Sequence, residues 1–189
     1  MKLKNIANIT TGHTFRQKIA LSEEGDLMVI QMKDLLSDST VNTAGLTKIS
    51  SNSVKSINTV KKGDVFFRSR GQLMKSAILT KDIVSTITSA PLIRIRAKES
   101  QVLPEYINWF ISQKPAQEYF TQRAKGTTIS MISKSTLENL DIYLPIIATQ
   151  RKIIELAALS EREQTITQSI ASKRKSYIST TLLALAAVF

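Results

Sequence analysis

The spacing that most resembles an enzyme's is Asp26 followed by Gln31 and Lys33. Metal-dependent nucleases place an acid before an acid-x-Lys pair, and their two carboxylates hold Mg²⁺. Here Gln31 stands where the second carboxylate would be, and a neutral amide is a poorer ligand. The pattern therefore favours a turn aspartate before a strand whose polar ends face solvent or DNA. A nuclease that uses these three residues remains an alternative.

Other catalytic groupings are missing from the sequence. It contains no cysteine, and His13 is its single histidine, so a thiol nucleophile and a histidine metal cluster are excluded. It also lacks the Gly-rich phosphate-binding loops of nucleotide hydrolases and dinucleotide enzymes. The Asn/Asp-Pro-Pro-aromatic tetrapeptide of amino-methyltransferases is absent too. We therefore expect a chain that is not an enzyme and that binds neither a metal nor a cofactor.

Positive charge is the clearest sign of a binding partner. The net charge is +11, and residues 48–81 contain eight basic residues against the single acid Asp64. Lysine and arginine gain affinity for nucleic acid by releasing the counterions of its phosphates. Nucleic acid is the favoured partner, with a merely solvated basic surface as the alternative.

A membrane partner is less consistent with the sequence. No run reaches the roughly 18 apolar residues that a membrane span needs. The first residues lack the apolar region of a secretory signal. No short basic cluster accompanies an insertion helix. We expect a cytoplasmic protein.

The first hundred residues are typical of short strands joined by polar loops. We predict strands at 29–32, 65–68, 76–79 and 90–96, and loops rich in Ser, Thr and Asn over 37–59. The last of these strands alternates apolar and basic residues, as a half-buried strand does. These strands have to position the basic residues.

The chain becomes helical at Pro104. Ile107, Phe110 and Ile111 share one helix face, and Pro115 ends that helix and can begin another. Gly126 is typical of the residue that ends a helix. The sequence thus predicts a helix pair followed by a loop.

Beyond this loop, Ser135 and Glu138 have the spacing of a capping box, which predicts a short helix, and 142–144 is a predicted last strand. Residues 149–187 contain neither Pro nor Gly, and as one helix they would span roughly 55–60 Å. An imperfect heptad seam runs along this segment: Leu156, Leu159, Ile166, Ile170 and Tyr177. We expect this seam to pack against a second chain. The helix could instead fold back on its own domain or break into a hairpin near Ser160.

Three stretches, in order, resemble one family. They are KGDVFFRSRG at 62–71, the segment from PEYI to AKGTTISMI at 104–132, and 137–153, which contains LPIIATQRKI. The opening LKNIANITTG at 3–12 also fits, although HTF at 13–15 departs from the family's Gly-x-Pro continuation. Together they are similar to the DNA-specificity subunit of type I restriction–modification systems.

The resemblance implies an α+β fold, with a small mixed α/β target-recognition domain at 1–146 and a long coiled-coil-like spacer helix at 147–189. Whole subunits of this family carry two of each, so the chain resembles a half-subunit. Two copies would pair through their helices as a homodimer and read a bipartite, palindromic site. Modification subunits would supply the methyltransferase chemistry and a restriction subunit the cleavage. A coiled-coil adaptor without specific DNA binding is the further alternative.

The residues expected to contact double-stranded DNA are polar groups on loops beside the basic strands. Arg68 and Arg70 alternate on a strand and should face the same side, where arginine can grip guanine or phosphate. The full predicted set is Arg16, Gln31, Lys33, Arg68, Arg70, Gln72, Lys75, Lys125, Thr127, Thr128, Ser130 and Lys134.

Overall fold

The structure, a computed structural model, describes residues 1–15, 25–51, 54, 59–71, 74–98, 100–126 and 130–187. The chain divides into two compact units, Met1–Gln150 and Arg151–Phe189. Its strands are β1 (Ala7–Thr11), β2 (Leu27–Ile30), β3 (Thr47–Ile49), β4 (Val65–Arg68), β5 (Ser76–Ile78), β6 (Thr86–Thr88) and β7 (Leu92–Ala97). Its α-helices are α1 (Leu3–Ile6), α2 (Pro104–Ser112), α3 (Lys114–Arg123), α4 (Lys134–Glu138) and α5 (Ile147–Ala186). The predicted α+β class is confirmed.

The larger sheet has the strand order β1-β7-β4-β5, and its pairs are antiparallel. Arg94, in the middle of β7, lies opposite Thr10 on one side and Phe66 on the other. The predicted strands at 65–68 and 76–79 correspond to β4 and β5. The strand predicted at 90–96 begins two residues later, because residues 90–91 form a turn.

The smaller sheet has the order β3-β2-β6, in which β2 runs antiparallel to β3 and parallel to β6. The strand predicted at 29–32 is β2, which ends at Ile30 and is followed by a 3₁₀ turn at Met32–Asp34. Neither β3 nor β6 was predicted, since each has only three residues. One core cluster joins the two sheets through Ile30 of β2 and Phe66 of β4, both fully buried.

The predicted helix pair is present as α2 and α3. Buried Ile107 and Ile111 lie on α2, which contacts β4, β5 and β7. The rings of Phe67 and Phe120 lie 5.0 Å apart and tie α3 to β4. The helices thus cover one face of the larger sheet, while Phe66 on the other face packs toward the smaller sheet.

Two local predictions were wrong. The cap of α4 is Ser133, whose Oγ accepts a hydrogen bond from the Thr136 backbone N–H at 3.0 Å, and Ser135 lies inside the helix. Two serines precede Glu138, and only the first leaves room for a full turn. Residues 142–144 are not a strand, because this segment meets the N-terminal residues through a single bridge, Lys2 with Asp141, and the bond from Ile142 N–H to the Met1 carbonyl.

The last helix, α5, is one continuous element of 40 residues, about 60 Å long at 1.5 Å per residue. It does not break near Ser160, so the hairpin alternative is wrong. Its first turn is fixed by Gln150, which is fully buried. The Gln150 side chain accepts from the Leu103 N–H at 2.9 Å and donates to the carbonyls of Gln101 and Pro145 at 3.1 and 2.8 Å.

Candidate nucleic-acid interface

The basic residues of the β4–β5 hairpin meet at its loop end. The Arg68 N–H at the end of β4 donates to the carbonyl of Lys75, which directly precedes β5, at 2.8 Å. Residues 72–73 between them lie outside the described part of the chain. The hairpin therefore holds these two cationic side chains as neighbours on adjacent strands.

A second segment is hydrogen-bonded to this end of the hairpin. The Ile132 N–H donates to the Ser69 carbonyl at 2.8 Å, and the Gly71 N–H donates to the Ser130 carbonyl at 3.0 Å. On its other side, Met131 exchanges both backbone hydrogen bonds with Lys125, at 2.8 and 3.1 Å. These pairings bring together predicted residues that lie far apart in sequence. We call this group the basic loop surface: Arg68, Arg70, Lys75, Lys125 and Ser130.

Arg68 and Arg70 do different things on this surface. The Arg68 Nε donates to the Arg70 carbonyl at 3.0 Å, and its side chain is half-buried. Gly71 has φ +132, and a Cβ there would lie 3.2 Å from two Arg68 guanidinium nitrogens. The left-handed φ favours glycine at this position, and the Arg68 hydrogen bond holds the loop. The Arg70 side chain is exposed, and its Nη2 lies 3.9 Å from the Met131 sulfur.

The field of this surface is not cancelled by the one acid of residues 48–81. Asp64 is fully buried, and both of its carboxylate oxygens accept from Arg96 at 2.7 Å. One of them also accepts from the Lys61 N–H at 2.9 Å. Since this charge is matched inside the domain, it does not neutralise the lysines and arginines of the basic loop surface.

Gln31 and Lys33 lie instead beside the smaller sheet. Both side chains donate to the Thr47 hydroxyl, at 2.7 and 3.2 Å. Lys33 is exposed, so its ammonium group remains accessible while Gln31 is held in place. Burial raises the pKa of neighbouring Asp34, although the Gln31 N–H and then the charge of Lys33 act in the opposite direction.

Asp26, the acid of the nuclease alternative, accepts two hydrogen bonds from Ser51, at 2.6 Å from the hydroxyl and 2.7 Å from the N–H. These bonds hold the pKa of Asp26 below its ordinary value. Over the described ranges, no three His, Cys, Asp or Glu side chains are grouped so that they could hold a metal ion. In the same part of the chain, no helix is both long and apolar enough to cross a membrane.

The remaining predicted contacts are scattered. Lys134 begins α4, and its ammonium lies 3.5 Å from the Glu138 carboxylate, which partly offsets its charge. Four predicted residues lie outside the described residues: Arg16, Gln72, Thr127 and Thr128.

Sequence reasoning missed two neighbours of the basic loop surface. Met131 is 43% exposed between Arg70 and Lys125, and Arg123 lies 4.2 Å above the ring of Tyr119 at the end of α3. The signal for Arg123 was its position two residues before Lys125. The signal for Met131 was weak, because a lone apolar residue in a polar loop is ordinary.

On α5, the predicted seam residues Leu156, Leu159, Ile166, Ile170 and Tyr177 are all exposed, by 51–74%. Ile178, Leu182, Leu183 and Leu185 continue the exposed apolar surface toward the end of the helix.

Comparison with known proteins agrees with this architecture. The family described as "Type I restriction modification DNA specificity domain" matches residues 1–172. The HsdS subunit from Thermoanaerobacter tengcongensis superposes with a TM-score of 0.68 and 19% identity, over 93% of this chain and 45% of that one. The S subunit of a type I restriction-modification system from M. genitalium gives 0.56 and 18%, over 93% and 42%.

A chain from a structure that describes complex assembly and conformational transition of the type I R-M system superposes with a TM-score of 0.63 and 18% identity. The match covers 88% of this chain and 38% of that one. The present chain thus spans less than half the length of each of these three structures. A search of curated proteins found no match.

Proposed function

The chain belongs to the family of type I restriction-modification DNA specificity domains, and from this premise we propose that it reads DNA sequence as half of a specificity subunit. The family is one of non-catalytic DNA-recognition subunits. In this proposal residues 1–146 are the target-recognition domain and 147–189 are the spacer helix. The chain would determine which DNA sequence is bound, and other subunits would act on the DNA.

The observation that carries the DNA-binding role is the basic loop surface. Arg70, Lys75 and Lys125 are exposed there, and Asp64, the nearest acid in that stretch of sequence, is buried against Arg96. We infer that the lysines contact phosphates and that Arg70 reaches a base edge or a phosphate. The other predicted DNA-contacting residues, Gln31 and Lys33 among them, extend this proposal to the flanking loops.

Pairing of two copies is the second part of the proposal. It is supported by the 40-residue helix α5, whose seam residues Leu156, Leu159, Ile166, Ile170 and Tyr177 are exposed. Antiparallel pairing of two α5 helices would relate two recognition domains by a twofold axis. The dimer would then read a bipartite palindrome whose spacing is set by helix length, as half-site separation is in other dimers.

Further partners follow from the family. We propose that modification subunits dock on the paired helices and transfer the methyl group, and that a restriction subunit joins the complex. Such an assembly would act on DNA in the cytoplasm. The chain itself would need no cofactor.

Selection from a random duplex library, with and without the modification subunit, tests the proposal. We expect enrichment of a two-part palindrome, and an affinity that falls steeply with salt because the phosphate contacts release counterions. Equal affinity for selected and random duplexes, with the modification subunit present, would overturn it. Mg²⁺-dependent cleavage that is lost in Lys33→Ala would instead support the nuclease alternative.

A further inference from the structure

A polar pocket of about 280 Å³ lies where β1 ends beside β6 and β7. Its wall is formed by Thr10, Thr11, Gly12, His13, Thr14, Ile87, Thr88 and Arg94. By this measure one water needs only about 10–15 Å³. The pocket therefore has room for a small polyatomic ligand.

The backbone fixes this pocket closely. The register of β1 and β7 sets Thr10 opposite Arg94. The His13 N–H then donates to the Thr88 carbonyl at 2.7 Å, and the Ala90 N–H donates to the His13 carbonyl at 2.8 Å. At Gly12, a Cβ would lie 2.5 Å from the Ser89 carbonyl carbon. Only glycine allows the segment after β1 to lie this close to the end of β6.

Two buried polar groups of the pocket wall lack a partner among the described residues. Thr88 is 5% exposed and Arg94 is 8% exposed, and within that part of the chain neither the Thr88 hydroxyl nor the Arg94 Nε has a hydrogen-bond partner. The Arg94 Nη1 donates to the Thr59 carbonyl at 2.8 Å, so this side chain is held in place while its Nε–H has no described partner. A buried polar group without a partner costs free energy, so native structures rarely keep one without a reason.

The charge of Arg94 is only partly compensated. Both oxygens of Asp64 are used by Arg96, at 2.7 Å each, and no carboxylate lines the described wall of the pocket. Burial lowers the pKa of Arg94, as does the neighbouring charge of Arg96, while Asp64 acts in the opposite direction. A guanidinium nevertheless stays protonated in proteins, so a buried cation faces this cavity.

The chemistry of the wall indicates the ligand. An arginine guanidinium offers N–H donors to an oxyanion, and the wall also contains threonines of β1 and β6 and Thr14, whose hydroxyls are further possible donors. Several separate donors suit phosphate, which presents four oxygens, better than a carboxylate, which presents two. We propose that this pocket is a phosphate-binding site in which the Arg94 guanidinium and the Thr88 hydroxyl hold the oxyanion. The phosphate would be either a free ion or a backbone phosphate of bound DNA.

Thr88→Val is the sharpest probe, because it removes only the hydroxyl that lacks a described partner. The full chain is titrated with inorganic phosphate against chloride at matched ionic strength, by calorimetry and by thermal unfolding. We expect Thr88→Val to leave stability without phosphate unchanged or higher, yet to weaken phosphate binding about tenfold, as loss of a hydrogen bond to a charged group does. Arg94→Gln should abolish the binding.

Thr86→Val is the matched control on the same strand. The Thr86 hydroxyl donates to the Val84 carbonyl at 2.8 Å and does not line the pocket, so this variant should bind phosphate as the wild type does. Stabilisation that is equal in wild type and Thr88→Val would reflect only the general exclusion of phosphate from protein surfaces, and would overturn the site. The absence of any phosphate-specific effect in the wild type would also overturn the site.

A competition experiment with duplex DNA identifies the source of the phosphate. If the pocket takes a DNA phosphate, inorganic phosphate competes with the duplex in the wild type and does so less in Thr88→Val. If it takes a free ion, duplex and phosphate bind together. Because the first titration contains no DNA, failure of the phosphate site and failure of the proposed DNA-binding function give different results.

Discussion

At the scale of single residues, Lys75 and Lys81 form a natural matched pair. Lys75 lies at the Arg68 end of the β4–β5 hairpin, whereas Lys81 follows the opposite end, where the Gly63 N–H bonds to the Leu79 carbonyl. Both side chains are exposed and both changes to alanine remove one charge. They therefore separate a local contact from a general charge effect.

We expect Lys75→Ala to weaken duplex binding about eightfold at 0.1 M salt and to reduce the slope of log affinity against log salt by about 0.9, the value for one phosphate contact. Lys81→Ala should change affinity less than about twofold at the same salt, as a charge away from the contact would. Fluorescence anisotropy over a salt series measures both quantities. Equal effects of the two variants would place the DNA elsewhere than on the basic loop surface.

The raised pKa of Asp34 predicts how the stability of the fold changes with pH. Burial raises its pKa above the ordinary 3.8, so the folded state holds this proton more tightly than the unfolded state. The wild type therefore loses stability as pH rises from 3.8 through the raised pKa, and Asp34→Asn should not. The stability of Asp34→Asn relative to wild type should grow over that window and then level off. Urea unfolding at intervals from pH 2 to 7 measures it.

Asp141→Asn is a control of opposite sign for the pH effect. The hydrogen bond from Lys2 lowers the pKa of Asp141, so the wild-type advantage is present above pH 3.8 and disappears as pH falls through the lowered pKa. A stability difference for Asp34→Asn that does not vary with pH would contradict the assignment of burial as the cause.

Some residue roles could be predicted from sequence and others could not. Charge density and the loop glycines indicated Arg68, Lys75 and Lys125, which the backbone bonds bring together. The alternation of β7 predicted a half-buried strand, but not that Arg94 would be nearly covered. Its burial depends on the smaller sheet, whose strands are too short to be recognised from the local sequence pattern.

At the scale of elements, the entry to α5 depends on one side chain. The Gln150 amide satisfies one N–H and two carbonyls of residues 101, 103 and 145, and it is fully buried. Gln150→Ala would leave these backbone groups without partners, so we expect a loss of about 3 kcal/mol in the free energy of unfolding. Urea unfolding and hydrogen exchange at the Leu103 amide measure it.

Gln164→Ala is the control for this prediction. It makes the same change on an exposed position of the same helix, and should cost no more than about 0.5 kcal/mol. If the two variants lost equal stability, the Gln150 hydrogen bonds would not fix the start of the helix. The Leu-Pro-x-x-x-x-Gln motif would then need another explanation.

Long periodic elements were predicted well and short ones were not. The apolar face of 104–111 and the absence of Pro and Gly after Pro145 predicted α2 and α5 because each signal extends over several turns. β3 and β6 have three residues each, and their pairing with β2 decides their structure. Residues 142–144 have strand-like composition, yet beside them only Asp141 forms a bridge.

At the scale of the whole molecule, the exposed apolar side chains of α5 are the feature that the proposed pairing has to explain. Nine large apolar side chains of this helix are exposed, five of them on the predicted seam. Leucine and isoleucine repeated along one face of a helix are usually buried in a coiled coil. Two copies of this chain would provide matching seams, which is the basis for expecting a homodimer.

Ile166→Asp tests this pairing, since it inserts a charge into the middle of the seam. Light scattering should give the wild type about twice the 21.0 kDa of one chain, and Ile166→Asp the mass of one chain. Gln168→Asp introduces the same charge about 200° around the helix from Ile166, on the face away from the seam, and should remain a dimer. Sequence selection should then lose the two-part palindrome in Ile166→Asp, while salt-sensitive binding of any duplex persists through the basic loop surface.

A monomeric wild type, or unaltered selection of the palindrome by Ile166→Asp, contradicts pairing through α5. Loss of partner binding without any sequence preference in the wild type supports the coiled-coil adaptor instead.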